Sequence, residues 1–227
     1  MFRIPGYLAP LLVPATVLAA GLADISNRDA INGLKEALTR GGQTAVARLG
    51  VENGFFGNDH VKIPLPPSLR SVEAVTRSIG MSRHTDELVL RMNRAAEAAV
   101  PEAKTLLVDA VKKMSVQDAK GILTGGEDAA TQYFKRTTSE PLARRFRPIV
   151  KKAMEKVKLA EKYDEIAASG AKLGLVKEED AQLEDYVTRK ALDGLFVVIA
   201  EEEKKVRKDP TGAASAILRK VFGAIGK

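Results

Sequence analysis

The sequence predicts an all-α protein: an irregular multi-helix bundle around a long central helix in the C-terminal part, with an extended proline-rich arm. Three observations carry that expectation. Ala, Leu, Lys, Arg and Glu are plentiful while the aromatics are only 4 Tyr and 7 Phe with no Trp in 227 residues, a composition that favours helices over a β-sandwich. Nearly every long segment repeats its apolar residues at helical period. Glycines and prolines punctuate these segments, and no longer period recurs that would indicate a solenoid. A chain of this length buries roughly 70–75% of its unfolded surface, so one helical domain over residues 24–227 can hold a core without a metal or disulfide staple.

Residues 4–23 carry no charge and come after the short lead Met1-Phe2-Arg3. Tyr7 to Ala20 reads as the apolar region of a signal peptide over residues 1–23, with small residues at Ala19, Ala20, Gly21 and Ala23 as cleavage positions. An uncleaved anchor and a non-targeting terminus are the competing readings. Pro5, Pro10 and Pro14 weigh against a span, since each removes a helical hydrogen bond that lipid cannot replace. A periplasmic or secreted protein is therefore expected. With no cysteine in the chain, lipoprotein attachment, disulfide stapling and thiol catalysis are all closed.

From Ile25 to Leu49 the apolar positions Ile31, Leu34, Leu38, Ala45, Val46 and Leu49 share one face, with Asn27 or Asp29 as N-cap and a break expected at Gly41-Gly42. Residues 50–67 differ. Gly50, Gly54 and Gly57 precede Val61-Lys62-Ile63-Pro64-Leu65-Pro66-Pro67, whose prolines impose an extended course, with Val61, Ile63 and Leu65 as one apolar edge. Ser68 caps a helix through Val72, Val75 and Ile79, and Ser82 to Asp86 opens another through Leu88, Leu90, Met92 and Ala96. Pro101 suits a first helical turn leading to Leu106, Leu107, Ala110, Val111 and Met114. Ser115 to Asp118 has the form of a capping box for a short helix that stops at Thr124-Gly125-Gly126. Glu127 and Asp128 then suit an N-terminus. Ser139-Glu140-Pro141 is expected to restart the chain, Pro148 to kink or split the restarted helix, and Leu159 to Leu173 to form a further helix ended by Gly174.

The longest element should run from about Glu179 to Lys208, with Leu195 to Ala200 apolar all round as in a helix enclosed by others. Beyond it, Glu201 with Lys205 and Glu203 with Arg207 form i,i+4 pairs on a solvated extension. Asp209-Pro210 opens a last helix through Ile217, Leu218, Val221 and Phe222.

Chemistry is sparse. The histidines are His60 and His84, far apart and outside any HxxxH or ExxH pattern, so the usual zinc and di-iron ligand sets are missing and neither metal nor cofactor is expected. There is no G-x-S-x-G, and no catalytic residue is assigned. Gly121-Ile122-Leu123-Thr124-Gly125-Gly126 resembles a phosphate cradle only superficially. It lacks the Lys-Ser/Thr pair of a P-loop, and the next residues, Glu127-Asp128, repel anions; the plainer reading is a helix stop that uses glycine where φ > 0 is required.

The charge is 36 basic against 29 acidic residues, formally +7. Its densest cluster is Arg144-Arg145-Phe146-Arg147 with Lys151, Lys152 and Lys156. Arg144, Arg145, Arg147 and Lys151 are a candidate anion or membrane-surface patch, against the alternative of a solvated helix face; nucleic acid is not an expected partner of an exported protein. The C-terminal stripe Ile217, Leu218, Val221, Phe222 and Ile225 either docks on the bundle or lies on an anionic membrane.

Polar residues in helix centres complete the inventory. Asn93 and Glu97 stand one turn apart in an alanine-rich segment, and Asp193-Gly194 interrupts the long helix. A structural network that sets helix register is one reading. A ligand pocket is the other, with Asn93, Glu97, Thr124, Gly125, Gly126, Thr131, Tyr133 and Asp193 as candidate binding residues.

The blocks Ile63-Pro64-Leu65-Pro66, Met92-Asn93-Arg94-Ala95-Ala96-Glu97, Gly121 to Gly126, Ala129-Ala130-Thr131-Gln132-Tyr133-Phe134, Ala191-Leu192-Asp193-Gly194-Leu195-Phe196 and Ala200-Glu201-Glu202-Glu203 together resemble the bacterial family filed as domain of unknown function 4197, across roughly residues 25–222. The resemblance implies an exported helical bacterial protein and no particular activity. The expected function is a non-enzymatic binding or structural module of the cell envelope, with an apolar or lipid-like ligand or an envelope protein as partner. A hydrolase or transferase using Glu97 with Asp193, and a membrane-surface protein, are the alternatives.

Overall fold

The computed structural model describes residues 27–69, 77–78, 82–155 and 182–208. The lead over residues 1–23, most of the segment from Ser68 to Ile79, the stretch Leu159 to Gly174 and everything from Asp209 onward lie outside the described residues.

The first helix, α1 (Asn27–Leu49), is continuous. The break expected at Gly41-Gly42 does not occur, and an added side chain would make only ordinary contacts at either glycine. A Cβ on Gly42 would lie 3.4 Å from Leu107 Cδ1, and one on Gly41 would lie 3.8 Å from Glu202 Cβ. Leu34, Ala37, Leu38, Ala45, Val46 and Leu49 are buried along one face.

Turns occupy most of residues 51–61, and residues 62–66 have no regular secondary structure before a short 3-10 turn at Pro67–Leu69. Val61, Ile63 and Leu65 are buried while Lys62 and Pro64 are exposed. Helix α2 (Arg83–Ala99) passes through a 3-10 turn (Val100–Glu102) containing Pro101 into α3 (Ala103–Lys113).

Helix α4 (Val116–Thr124) begins with the expected capping box. Ser115 Oγ accepts from the Asp118 amide at 3.0 Å and the Asp118 carboxylate accepts from the Ser115 amide at 3.2 Å, so two of the orphan donors at this helix start are paired. The same carboxylate also accepts from Ser115 Oγ at 2.6 Å. These bonds with Ser115, together with Arg136 at 3.2 Å, hold the Asp118 carboxyl below its ordinary value.

The restart expected at Ser139-Glu140-Pro141 is overturned. Helix α5 (Ala129–Met154) continues unbroken through Pro141 and Pro148, so the split allowed for at Pro148 does not occur either. Each proline lacks an N–H for the carbonyl four residues back. Those carbonyls belong to Thr137 and Arg144, both on the exposed side, where water can take the donor's place. On the other side Leu142, Phe146 and Val150 are wholly buried, and that packing holds the helix together.

Helix α6 (Leu183–Lys208) packs on α5, α1 and α2. It is the expected central C-terminal helix, but α5 equals it at 26 residues and contacts α2, α3 and α4 besides α6. The run Leu195 to Ala200 is not enclosed all round, since Val197 is 41% exposed. No strand occurs among the described residues, and none of their helices is long and apolar enough to cross a membrane.

Candidate functional site

The polar helix-centre residues are engaged inside the fold. Ile63 lies in irregular chain, so its buried N–H and C=O have no ladder partner and must be paired elsewhere. Asn93 supplies both: its Oδ1 accepts from the Ile63 amide at 2.8 Å and its Nδ2 donates to the Ile63 carbonyl at 2.9 Å and the Val89 carbonyl at 2.8 Å. One turn on, Glu97 Oε1 accepts from the consecutive amides of Phe55 and Phe56, each at 3.0 Å, and Oε2 accepts from Arg94 at 2.6 Å. Arg94 also reaches Glu52 and Asn53. Asn93 and Glu97 therefore fasten one face of α2 to residues 55–63.

Thr131 and Tyr133 have other partners. Thr131 offers its amide at 2.9 Å and its hydroxyl at 2.8 Å to Glu203, which also accepts from the Ala130 amide at 3.0 Å. Tyr133 donates to the Ala110 carbonyl at 2.7 Å, and burial pushes its hydroxyl pKa up, with Asp118 adding to the shift.

Thr124 is exposed and donates to its own helix at Lys120, and Gly125 and Gly126 are exposed. Gly125 has φ −84, so the left-handed backbone expected of this turn is not what requires glycine. Space is: a Cβ there would lie 2.6 Å from the Gly121 carbonyl oxygen and 2.8 Å from Ala129 Cβ. Asp193 is exposed beside Lys190 at 3.6 Å, while Gly194 is buried against Phe55, whose Cε1 would lie 2.6 Å from an added Cβ. The eight candidate ligand residues thus do not converge on one cavity. A catalytic pair of Glu97 with Asp193 lacks a shared cleft, because Glu97 has both oxygens engaged and Asp193 faces outward.

The structure corrects the expectation that Glu203 stands on a solvated extension. It is 9% exposed and caps α5 from a distance of more than seventy residues in sequence, with Arg207 beside it at 2.9 Å. A carboxylate against the first amides of a helix meets both the unpaired donors and the positive end of the dipole. The i,i+4 spacing Leu195, Ile199, Glu203 places it on the buried stripe, a signal present in the sequence. The expected Glu201–Lys205 pair is replaced: Glu201 meets Arg48 and His60, and Lys205 meets Glu202 at 2.8 Å.

Two spaces adjoin α5 and α6. One is an apolar crevice of about 30 Å³ between α1, α4, α5 and α6, lined by Leu34, Leu38, Ile122, Phe134 and Ile199. It has room for about one water and falls far short of the roughly 300 Å³ of small-molecule sites. The other is an open groove of about 510 Å³ between α5 and α6.

Ser139, Glu140, Ala143, Arg144 and Arg147 of α5 and Asp185, Thr188, Arg189 and Leu192 of α6 line that groove. Arg144 pairs with Glu140 at 2.9 Å with both side chains at least 70% exposed, an ion pair of small worth in water. Arg147 reaches Asp185 at 3.1 Å, Gln182 at 3.2 Å and Glu184 at 3.5 Å. Arg189 lies over the Tyr186 ring. Thr188 is 5% exposed, and among the described residues its hydroxyl is the buried side-chain polar atom left without a hydrogen-bond partner. Of the four candidate patch residues, Arg144 and Arg147 line the groove, whereas Arg145 and Lys151 are exposed on the same helix. Among the described residues no cluster of three or more His, Asp or Glu stands ready for a metal.

The model of the family described as "Protein of unknown function (DUF4197)" matches residues 24–223. The chain belongs to this family. No curated protein and no solved structure matches it. The segments on which the resemblance rests acquire physical roles here: Met92 to Glu97 is the fastener for residues 55–63, Ala129 to Phe134 is the helix start held by Glu203, and Ala191 to Phe196 contains the glycine that admits Phe55.

Proposed function

We propose that the protein is a non-enzymatic helical binding module of the cell envelope, and that its binding surface is the groove between α5 and α6. The observation that supports this most is the groove itself, about 510 Å³ of open space lined by arginines from both helices together with Ala143 and Leu192, in the ordinary size range of ligand sites. Asn93, Glu97, Thr131 and Tyr133 are engaged within the fold, which directs attention to the outer face. The envelope part of the reading rests on residues 1–23, whose apolar, almost uncharged character is that of an export signal.

Native mass spectrometry of protein recovered from the periplasm tests both parts. A retained small molecule supports the reading. Recovery of bare protein, or of protein confined to the cytoplasm, counts against it. A membrane-surface role is a second reading, favoured by the exposure of Arg145, Lys151 and Lys152 on α5. Vesicle co-sedimentation unaffected by neutralising Arg144, Arg145 and Arg147 and deleting residues 213–227 would remove it.

A further inference from the structure

From the outer face of α5 we infer a partner: an extended surface of anionic phospholipid headgroups, met by Arg145, Lys151 and Lys152. This rests on the membrane-surface reading above and names the residues and the lipid class. Helix α5 is rich in lysine and arginine, and Glu140 is its one acidic residue. Four of its cations are engaged within the fold. Arg136 meets Asp118 at 3.2 Å, Arg144 meets Glu140 at 2.9 Å, Arg147 meets Asp185 at 3.1 Å and Glu184 at 3.5 Å, and Lys135 lies over the Phe196 ring. Arg145, Lys151 and Lys152 are exposed and have no ion pair among the described residues. Glu140, Glu184 and Asp185 face Arg144 and Arg147, so the acid standing beside the three cations on this helix is the exposed Glu155.

The continuity of α5 through Pro148 sets their geometry. Seven residues fall about 20° short of two full turns, so Arg145 and Lys152 share one face about 10 Å apart along the axis. A split at Pro148 would have parted them. Lys151 lies about 100° round the helix from Lys152, with Pro148 between them, itself exposed.

None of the three cations lines the groove between α5 and α6. Spread over the convex side of a helix, they cannot converge on one small anion. A plane of repeated headgroups meets each of them, and the long aliphatic stems let the charged ends reach it. Nucleic acid suits the face less well, because single strands are held by aromatic side chains on which bases stack and Phe146, the aromatic residue of this stretch, is wholly buried.

Flotation of the full-length protein with vesicles of phosphatidylglycerol or of phosphatidylcholine tests the inference. The uncharged stretch over residues 4–23 adds to partition on both lipids, so the readout is the ratio of the two partition coefficients. A ratio of at least about tenfold is expected, since each basic residue near an anionic surface is worth about fivefold and three of them face one acid. Raising the salt to about 0.5 M should shrink it toward one. The combined variant Arg145→Gln, Lys151→Gln, Lys152→Gln should bring the ratio to within about threefold of one, and Glu155→Gln should raise it about fivefold. Lys104→Gln, Lys113→Gln and Lys204→Gln together remove the same charge at exposed sites on α3 and α6 and should lower it by less than about threefold. All these side chains are exposed, so the unfolding midpoint of each variant should match the parent's, which keeps lost binding apart from lost folding.

Equal partition on the two lipids overturns the inference, as does a control variant that acts as strongly as the α5 variant. Polyglutamate or a single-stranded oligonucleotide bound as tightly as phosphatidylglycerol through the same three residues assigns the face to an acidic protein or to nucleic acid instead. If vesicle binding survives the α5 substitutions and is lost on deleting residues 213–227, the inference fails and the membrane-surface reading stands. If vesicles of neither lipid bind, both fail.

Discussion

Replacing Glu203 by alanine should be the most damaging single change available at the end of α6. Its carboxylate accepts from the amides of Ala130 and Thr131, the Thr131 hydroxyl and the Arg207 guanidinium. Ala130 is 1% and Thr131 2% exposed, so water cannot readily replace the lost acceptor. Two buried amides and a hydroxyl would be orphaned at about 1–3 kcal/mol each, and an arginine would be left without its partner; allowing for relaxation and partial hydration, the loss is about 3–5 kcal/mol. For a chain of this size each kcal/mol moves the melting temperature by roughly 2–4 °C, so a fall of about 6–20 °C is expected. Urea denaturation measures the free energy directly, and hydrogen exchange at Ala130 and Thr131 should accelerate with it. Glu203→Gln, which keeps the shape but turns one acceptor into a donor facing donors, should fall between parent and alanine variant. A loss below about 1 kcal/mol for Glu203→Ala would refute the argument that this carboxylate caps α5.

Thr188→Val removes a buried hydroxyl that has no partner, so the ligand-free protein should be unchanged or more stable by up to about 1–3 kcal/mol; a clear loss in urea titration would mean that the hydroxyl is paired. Asn93→Ala strands the buried Ile63 amide and carbonyl and should cost about 2–4 kcal/mol, with faster hydrogen exchange at Ile63; no change at that amide would contradict the fastening role. Gly194→Ala gains about 1 kcal/mol in helix propensity, but its Cβ would meet Phe55 Cε1 at 2.6 Å. Phe55 is fully buried, so overpacking of about 1–3 kcal/mol should win; a stabilised variant would show that the ring can move aside. Asp118 has its folded pKa lowered from 3.8, chiefly by Ser115, so it binds protons less readily folded than unfolded. Its contribution is present above pH 3.8 and lost as pH falls through the lower folded value. Ser115→Ala should return that pKa toward 3.8, which an NMR titration of the Asp118 carboxyl reads.

Much of the helical layout is legible in the sequence because its signals are local. The capping box at Ser115, the stop at Thr124 and the stripe of α1 each depend on residues within a few turns. Pro141 misleads for a physical reason: a proline rule describes a helix in isolation, whereas buried Leu142, Phe146 and Val150 hold this one together across it. The glycine reading at Gly125 has the right turn and the wrong cause, since crowding by Gly121 and Ala129 is a property of packing. Asn93 and Glu97 stand out correctly as special, because a polar residue amid alanines must find partners. That those partners are backbone amides of residues 55–63 is not readable, and so the same signal serves equally for a pocket and for a fastener.

Thr188 illustrates the limit most clearly. A threonine in a helix is ordinary in sequence, and only the assembled α5 and α6 reveal a buried hydroxyl without a partner. Composition, period and punctuation determined that the chain is all-α and where several helices start and stop, because backbone preference and capping act over a few residues. Tertiary structure decided which charges are buried, which glycines are obligatory and where a groove opens, because those depend on contacts such as Glu203 to Thr131, 72 residues apart in the chain and adjacent only once the helices have packed.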